Sequence, residues 1–166
     1  MKIQWSNMST LRKLSLNDKT DYGFCFACGP NNPHGLKLKF RSYQNKVSCK
    51  FTPTNVHQGF PKYLHGGIIT ALLDEVMSRV SLLENRWTMT VRLEVRFRHP
   101  IIIEQEITAT SEKINHKGKF IQAKGVLKIE DGTIAADAIG TFAYVPEKTL
   151  TKITKDYPLL AKEWMI

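Results

Sequence analysis

Residues 57–78, HQGFPKYLHGGIITALLDEVMS, constrain this chain more than any other stretch. They open as a loop rich in His, Gly and Pro and continue as one long helix, from about residue 66 to residue 84. Ile69, Leu72, Leu73, Val76, Val80 and Leu83 recur at the three-and-four spacing of a buried helical face. The patterned remainder of the chain reads as strand. A chain with one helix and many strands buries that helix by wrapping its sheet around it. The expected fold class is therefore α+β, an antiparallel sheet around one long central helix.

The strands follow from alternation. Residues 36–43 set Leu36, Leu38 and Phe40 against Lys37, Lys39 and Arg41, and residues 46–52 place Val47, Cys49 and Phe51 on one side. Gln44-Asn45 joins these two runs as a hairpin turn. After the helix, residues 88–98 alternate almost strictly, with Met89, Val91, Leu93, Val95 and Phe97 on one face, until His99-Pro100 breaks the run. Residues 104–115, 119–130 and 133–145 complete the set, joined by His116-Lys117-Gly118 and Asp131-Gly132. Asp-Gly between alternating runs is a hairpin signal. One helix cannot cover both faces of so wide a sheet, so either the sheet curls or a second subunit covers what remains.

The 166 residues suit one domain with a full core. We divide them into an N-terminal extension (1–22), the domain (23–146) and a C-terminal tail with a short helix (147–166). A further short helix is expected around 9–16, and one or two helical turns at 158–166. No apolar run approaches the roughly 20 residues of a membrane span. The first residues lack the apolar core of a signal peptide. A cytoplasmic protein without a membrane partner is expected. The net charge of +9 suits an anionic partner or a generally basic surface. No basic helix or clustered strand aromatics point to nucleic acid.

Placed at about 100° per residue, Asp74 lies nearly opposite the apolar stripe, among Thr70, Ser78 and Ser81. Small hydroxyls around one carboxylate suit a cleft or subunit contact; a short solvated face is the plainer alternative. Glu75 sits four residues before Arg79, the order of a helical ion pair that solvates a flank and contributes little. Cys25, Cys28 and Cys49 are an odd number, which argues against a disulfide framework. The lone Cys25-Phe-Ala-Cys28 lacks the second CxxC of a structural zinc site, although His34, His57 or His65 would be available as further ligands. It also precedes a turn, Gly29-Pro30-Asn31-Asn32-Pro33, instead of opening a helix as CxxC redox sites do. No metal is expected, and the thiols are read as anchoring an N-terminal loop.

The strand and helix order, with His65-Gly66-Gly67 at the helix start and Asp74 eight residues after Gly66, resembles the hotdog fold and, more closely, the PaaI-like acyl-CoA thioesterases. The likeness spans about residues 25–145. It includes the opening CFACGPNNPHGLKL, the run Val95-Arg96-Phe97-Arg98-His99-Pro100, and Gly140-Thr141-Phe142. The resemblance implies hydrolysis of an acyl-CoA thioester, with coenzyme A as part of the substrate and no separate cofactor. It implies that the Gly66 amide, with Gly67 beside it, polarises the thioester carbonyl. Unpartnered amides at the positive end of a helix dipole suit that task, and glycine admits a close approach. Asp74 would act as general base or nucleophile, with Ser78 holding the water. His57 and Gln58 are candidates for contacting the thioester, while His65 caps the helix or bonds the loop backbone.

Gly66 and Asp74 lie about 12 Å apart along the helix. Both cannot serve one carbonyl from one protomer. The resemblance therefore implies a homodimer, or a tetramer built from it, with donor and acid from different subunits. A dry cleft would raise the Asp74 pKa, as a base working near neutral pH needs. Arg98, Lys117 and Lys119 are the candidates for the phosphates of coenzyme A. Two other readings stay open: a non-catalytic acyl-CoA binding module, and a hotdog hydratase or dehydratase. The latter wants an acid fourteen residues after His57, where this chain has Ala71.

Overall fold

The computed structural model describes residues 21–156. The helix expected around 9–16 and the turns expected at 158–166 lie outside the described residues. Among the described residues six strands form one antiparallel sheet: β1 (Phe40–Tyr43), β2 (Lys46–Phe51), β3 (Thr88–Phe97), β4 (Ile107–Lys117), β5 (Phe120–Ile129) and β6 (Ile134–Tyr144). Their order across the sheet is β1-β2-β4-β5-β6-β3. Helix α1 (Gly66–Ser78) packs against β2, β3, β4, β5 and β6, so the sheet curls around it. A second helix, α2 (Glu147–Asp156), follows the sheet. Among the described residues no helix is long and apolar enough to cross a membrane.

The core lies between α1 and the concave face. Ile69, Leu72, Leu73, Val76 and Met77 of α1 are buried, and Val47, Ile107, Ile121, Leu127 and Phe142 meet them from the sheet. Each such side chain contributes about 1.5–3 kcal/mol through removal from water. The β1–β2 turn places Gln44 and Asn45 at φ 48° and 60°, the doubly left-handed geometry that suits the twist of a two-residue hairpin. The β5–β6 turn is closed by Asp131, whose carboxylate accepts from the Thr133 amide at 2.8 Å, with Gly132 at φ 86°.

Several expected boundaries move, each for a local reason. The run at 36–43 is strand only from Phe40. Lys37 has φ 55°, and the Leu36 and Leu38 amides donate to the carbonyls of Phe26 and Ala27 instead. Leu36 and Leu38 are nevertheless buried, so their apolar character serves the core from a loop. The long helix stops being α-helical after Ser78 and continues as a 3-10 turn, Arg79–Glu84. The Ser78 carbonyl accepts from Ser81 Oγ at 2.8 Å and Thr88 Oγ1 at 3.4 Å, and left-handed Asn85 (φ 53°) ends the segment. Side-chain hydroxyls competing for helix carbonyls tighten or end a helix in this way.

Strand β3 is less regular than its sequence. A bulge sets Val91 outside the register between Thr90, opposite Phe142, and Arg92, opposite Thr141. One extra residue inverts the facing of everything before it. Leu93 and Val95 pack against the core, but N-terminal to the bulge it is Thr88 and Thr90 that face the helix, and Met89 is 43% exposed. The single apolar face read across residues 89–97 is therefore split. β3 is also an edge, paired only with β6 among the described residues.

Candidate active site

Helix α1 starts where the loop before it is pinned. The His65 amide donates to the His57 carbonyl at 2.9 Å, and a bridge pairs Gln58 with Leu64. His65 is the N-cap, with extended backbone, and its Nδ1 accepts from the Gly67 amide at 2.8 Å. The amides of Ile68 and Ile69 both donate to the His65 carbonyl. The Gly67 amide is thus committed to the cap. The Gly66 amide is left as the donor available to an outside acceptor. A Cβ built at Gly66 would stand 3.5 Å from the Phe97 ring, so this amide opens beside the C-terminal end of β3.

The other residues of this loop are occupied in holding it. His57 Nδ1 accepts from the Thr54 amide at 2.9 Å, and its ring stands edge-on to Phe51 at 5.0 Å. Burial pushes the His57 pKa down. Gln58 Oε1 accepts from the Lys62 amide at 3.0 Å. Around them Val56, Phe60, Tyr63, Phe97 and Ile102 are exposed, an apolar border beside the helix start.

Asp74 lies at the opposite end of β3. Its Oδ1 accepts a hydrogen bond from Thr90 Oγ1 at 2.7 Å. The carboxyl is half-buried, and burial pushes its pKa up against the lowering pull of that hydroxyl. Ser78 Oγ donates to the Glu75 carbonyl at 2.9 Å, and Thr70 Oγ1 to the Gly66 carbonyl at 2.9 Å. Both hydroxyls thus bond their own helix. Ser81, expected on the exposed face, is buried at 1% exposure. The partner the sequence reading missed is Thr90. The strict alternation of residues 88–98 had pointed it away from the helix, and only the bulge turns it inward.

Glu75 and Arg79 depart from the expected solvated flank. Their side chains are 16% and 8% exposed and join at 3.0 Å. The guanidinium also lies 4.0 Å from the Phe40 ring centroid and donates to Cys28 Sγ at 3.0 Å. Cys25, Cys28 and Glu75 offer donor atoms within 4.8 Å of one another, without the histidine ligand considered from sequence. A shallow indentation lined in part by Glu75, Ser78, Arg79, Trp87 and Thr88 contains neither Gly66 nor Asp74.

Arg98 is not a neighbour of the other two basic candidates. Arg98 follows β3 and pairs with Asp137. Lys117 and Lys119 flank the β4–β5 turn, beside Phe120. The registers run Met89–Ala143–Phe120 at one end of the sheet and Phe97–Ala136–Leu127 at the other. Seven residues of strand, about 24 Å at 3.4 Å each, separate those ends.

No family model matches the chain. It is similar to the human acyl-coenzyme A thioesterase THEM5, 28% identical over 64% of this chain and 47% of that protein. It is also similar to mouse acyl-coenzyme A thioesterase THEM4, 27% identical over 70% of this chain and 53% of the relative. The chain thus spans about half the length of the curated relatives it matches. Among solved structures, a thioesterase superfamily protein superposes with TM-score 0.68 at 25% identity, over 72% of this chain and 62% of that one.

Proposed function

Starting from a hotdog-fold chain whose relatives are acyl-CoA thioesterases, we propose that this protein hydrolyses acyl-CoA thioesters at a site shared by two protomers. The observation that carries the reading is the placement of Gly66 and Asp74 at opposite ends of edge strand β3, beside Phe97 and Thr90. An antiparallel two-fold pairing of β3 with its copy, centred near Glu94, brings the Thr90 end of one strand against the Phe97 end of the other. Thr90 is three register steps from Glu94 once the bulged Val91 is discounted, and Phe97 is three steps on the other side. Each Gly66 amide then meets the partner's Asp74.

The chemistry follows from that meeting. The Gly66 amide, at the positive end of α1, donates to the carbonyl oxygen as negative charge develops there. Asp74 takes a proton from water as its oxygen adds to the carbonyl carbon, the C–S bond breaks, and the coenzyme A sulfur leaves with that proton; or Asp74 attacks the carbonyl itself, coenzyme A leaves as its thiolate, and water hydrolyses the resulting anhydride. The raised pKa of Asp74 makes it a better base, and the Thr90 hydroxyl fixes which oxygen remains free. Ser78 and Gln58 stay candidates for holding water or the thioester through their remaining hydrogen-bonding capacity. His57 and His65 set the loop and the cap. Coenzyme A enters as part of the substrate, and no metal or further cofactor is used. A hypothetical thioesterase from Streptococcus pneumoniae with a similar fold (TM-score 0.62, 13% identity over 65% of this chain and 88% of that one) was solved with coenzyme A. Variants of it replace an aspartate and a threonine sixteen positions further on, the order and spacing of Asp74 and Thr90 here. In the pairing above, Arg98 of one protomer approaches the end of the partner's sheet that carries Lys117 and Lys119, where the nucleotide phosphates would lie.

The test is release of free coenzyme A from a panel of acyl-CoAs. Asp74→Asn is expected to lower kcat by at least about a hundredfold while coenzyme A binding persists. Full activity in that variant overturns the mechanism. Binding without turnover across the panel by the wild-type chain makes it a binding module.

A further inference from the structure

Cys25 and Cys28 lie in a loop that the thioester chemistry does not use. The loop is closed by the Gly29 amide donating to the Cys25 carbonyl at 2.8 Å, and it is fixed on the core through Ala27, Leu36 and Leu38. Gly29 belongs to its geometry. A Cβ there would stand 2.3 Å from the Gly23 carbonyl oxygen and 2.5 Å from the Cys25 nitrogen, both backbone atoms that cannot give way. The turn therefore presents two half-buried cysteines whose sulfurs lie within 4.8 Å of each other.

Their surroundings are those of a reactive pair. The Cys28 thiol and the amides of Ala27 and Cys28 all direct hydrogen toward the Cys25 sulfur, while Arg79 donates to Cys28 Sγ and adds its charge nearby. The Cys25 pKa is lowered to about 5, first by the Cys28 thiol, then by these amides and Arg79; that of Cys28 is raised in turn. Cys49, the third thiol, is buried and pushed up to about 12, chiefly by desolvation. A thiolate that accepts from backbone amides, with a second thiol within reach and a guanidinium on that second sulfur, is the pattern of a redox-responsive cysteine. The same atoms suit a metal ion less well. Three donors lie together, and a guanidinium already supplies the positive charge at 3.0 Å from both Cys28 Sγ and Glu75 Oε1.

We propose that Cys25 and Cys28 form a reversible disulfide when the protein meets a hydroperoxide, with Cys25 as the attacking thiolate and Cys28 as the resolving thiol. In the first step the Cys25 sulfur attacks the terminal peroxide oxygen. The O–O bond breaks, an alcohol or water leaves with a proton, and Cys25 becomes a sulfenic acid. In the second step the Cys28 sulfur attacks that sulfenic sulfur, the S–S bond forms, and the hydroxyl leaves as water with the Cys28 proton. The peroxide gains the two electrons that the two thiols lose. A dithiol reductant reverses the change by thiol–disulfide exchange. Closing the bridge takes from Arg79 the sulfur it donates to, so the modification is felt by the Glu75–Arg79 pair next to Asp74.

The 166-residue chain treated with hydrogen peroxide is expected to lose about 2 Da, recover it with dithiothreitol, and give a Cys25–Cys28 cross-linked peptide after digestion. Cys28→Ser is expected to accumulate a sulfenic acid on Cys25, trapped by dimedone. Cys25→Ser should leave Cys28 more than about tenfold slower to react. Serine is isosteric enough that both variants fold, which circular dichroism checks. Three results overturn the proposal: no loss of mass at a peroxide level that oxidises free glutathione, a bridge to Cys49 instead, or stoichiometric zinc in the purified protein that protects both thiols.

Discussion

Replacing Arg79 by Met tests whether the ion pair at the end of α1 holds this fold together. The guanidinium joins Glu75 through Nη2 at 3.0 Å and Nε at 3.1 Å, donates to Cys28 and lies over Phe40. With the two side chains 8% and 16% exposed, solvent does little to screen them. Methionine fills the volume and leaves the Glu75 carboxylate without its cation. Removing one member of a buried pair costs about 3–5 kcal/mol, because a buried charge is left uncompensated.

The pH dependence gives the sharper check. The folded Glu75 pKa lies above its ordinary value, since burial outweighs the pull of Arg79. A carboxyl raised by folding is most stabilising when protonated. Stability is lost as pH climbs from the unfolded pKa through the folded one. Without Arg79 the folded pKa climbs further, at about 1.4 kcal/mol for each unit once pH exceeds both values. The destabilisation by Arg79→Met is therefore expected to be larger at pH 8 than at pH 5. Adding Glu75→Gln should recover most of it at pH 8. Urea unfolding followed by circular dichroism measures this, provided the slope with denaturant stays constant. A loss under about 1 kcal/mol, or an equal loss at both pH values, refutes the reasoning.

Thr90→Val removes the hydroxyl that lowers the Asp74 pKa, so the acid limb of the kcat/KM profile should move to higher pH, with alkaline activity largely kept. Mixing Asp74→Asn subunits with Gly66→Val subunits, each inactive alone, should restore about a quarter of wild-type activity. Half the dimers are then mixed, and each mixed dimer holds one intact site. No recovery after verified subunit exchange places donor and acid in one protomer instead. Gly29→Ala forces a Cβ onto backbone atoms, and should destabilise the chain by about 1–3 kcal/mol in thermal unfolding and raise proteolysis within residues 23–38.

Much of this molecule was legible in its local pattern. The buried stripe of α1, the hairpins at Asn45 and Gly132, and the glycine-opened helix all follow from spacing and turn chemistry acting over a few residues. Asp74 stood out as the one carboxylate on a face of small hydroxyls. Local pattern failed where a residue's surroundings come from elsewhere in the chain. Leu36 and Leu38 alternate as a strand would, yet their amides go to Phe26 and Ala27. Glu75 and Arg79 have the spacing of a surface pair, yet the Cys25–Cys28 loop and Phe40 close over them.

Hydrophobic period and turn residues act within one element, so local pattern was enough for the helix, its buried face and the strand count. Which polar groups meet was settled by the packing of distant segments. One bulged residue turned Thr90 onto Asp74, and one loop laid two thiols on a buried arginine. Those meetings depend on register and on contacts between distant segments, and a one-residue shift that spacing does not record reverses them.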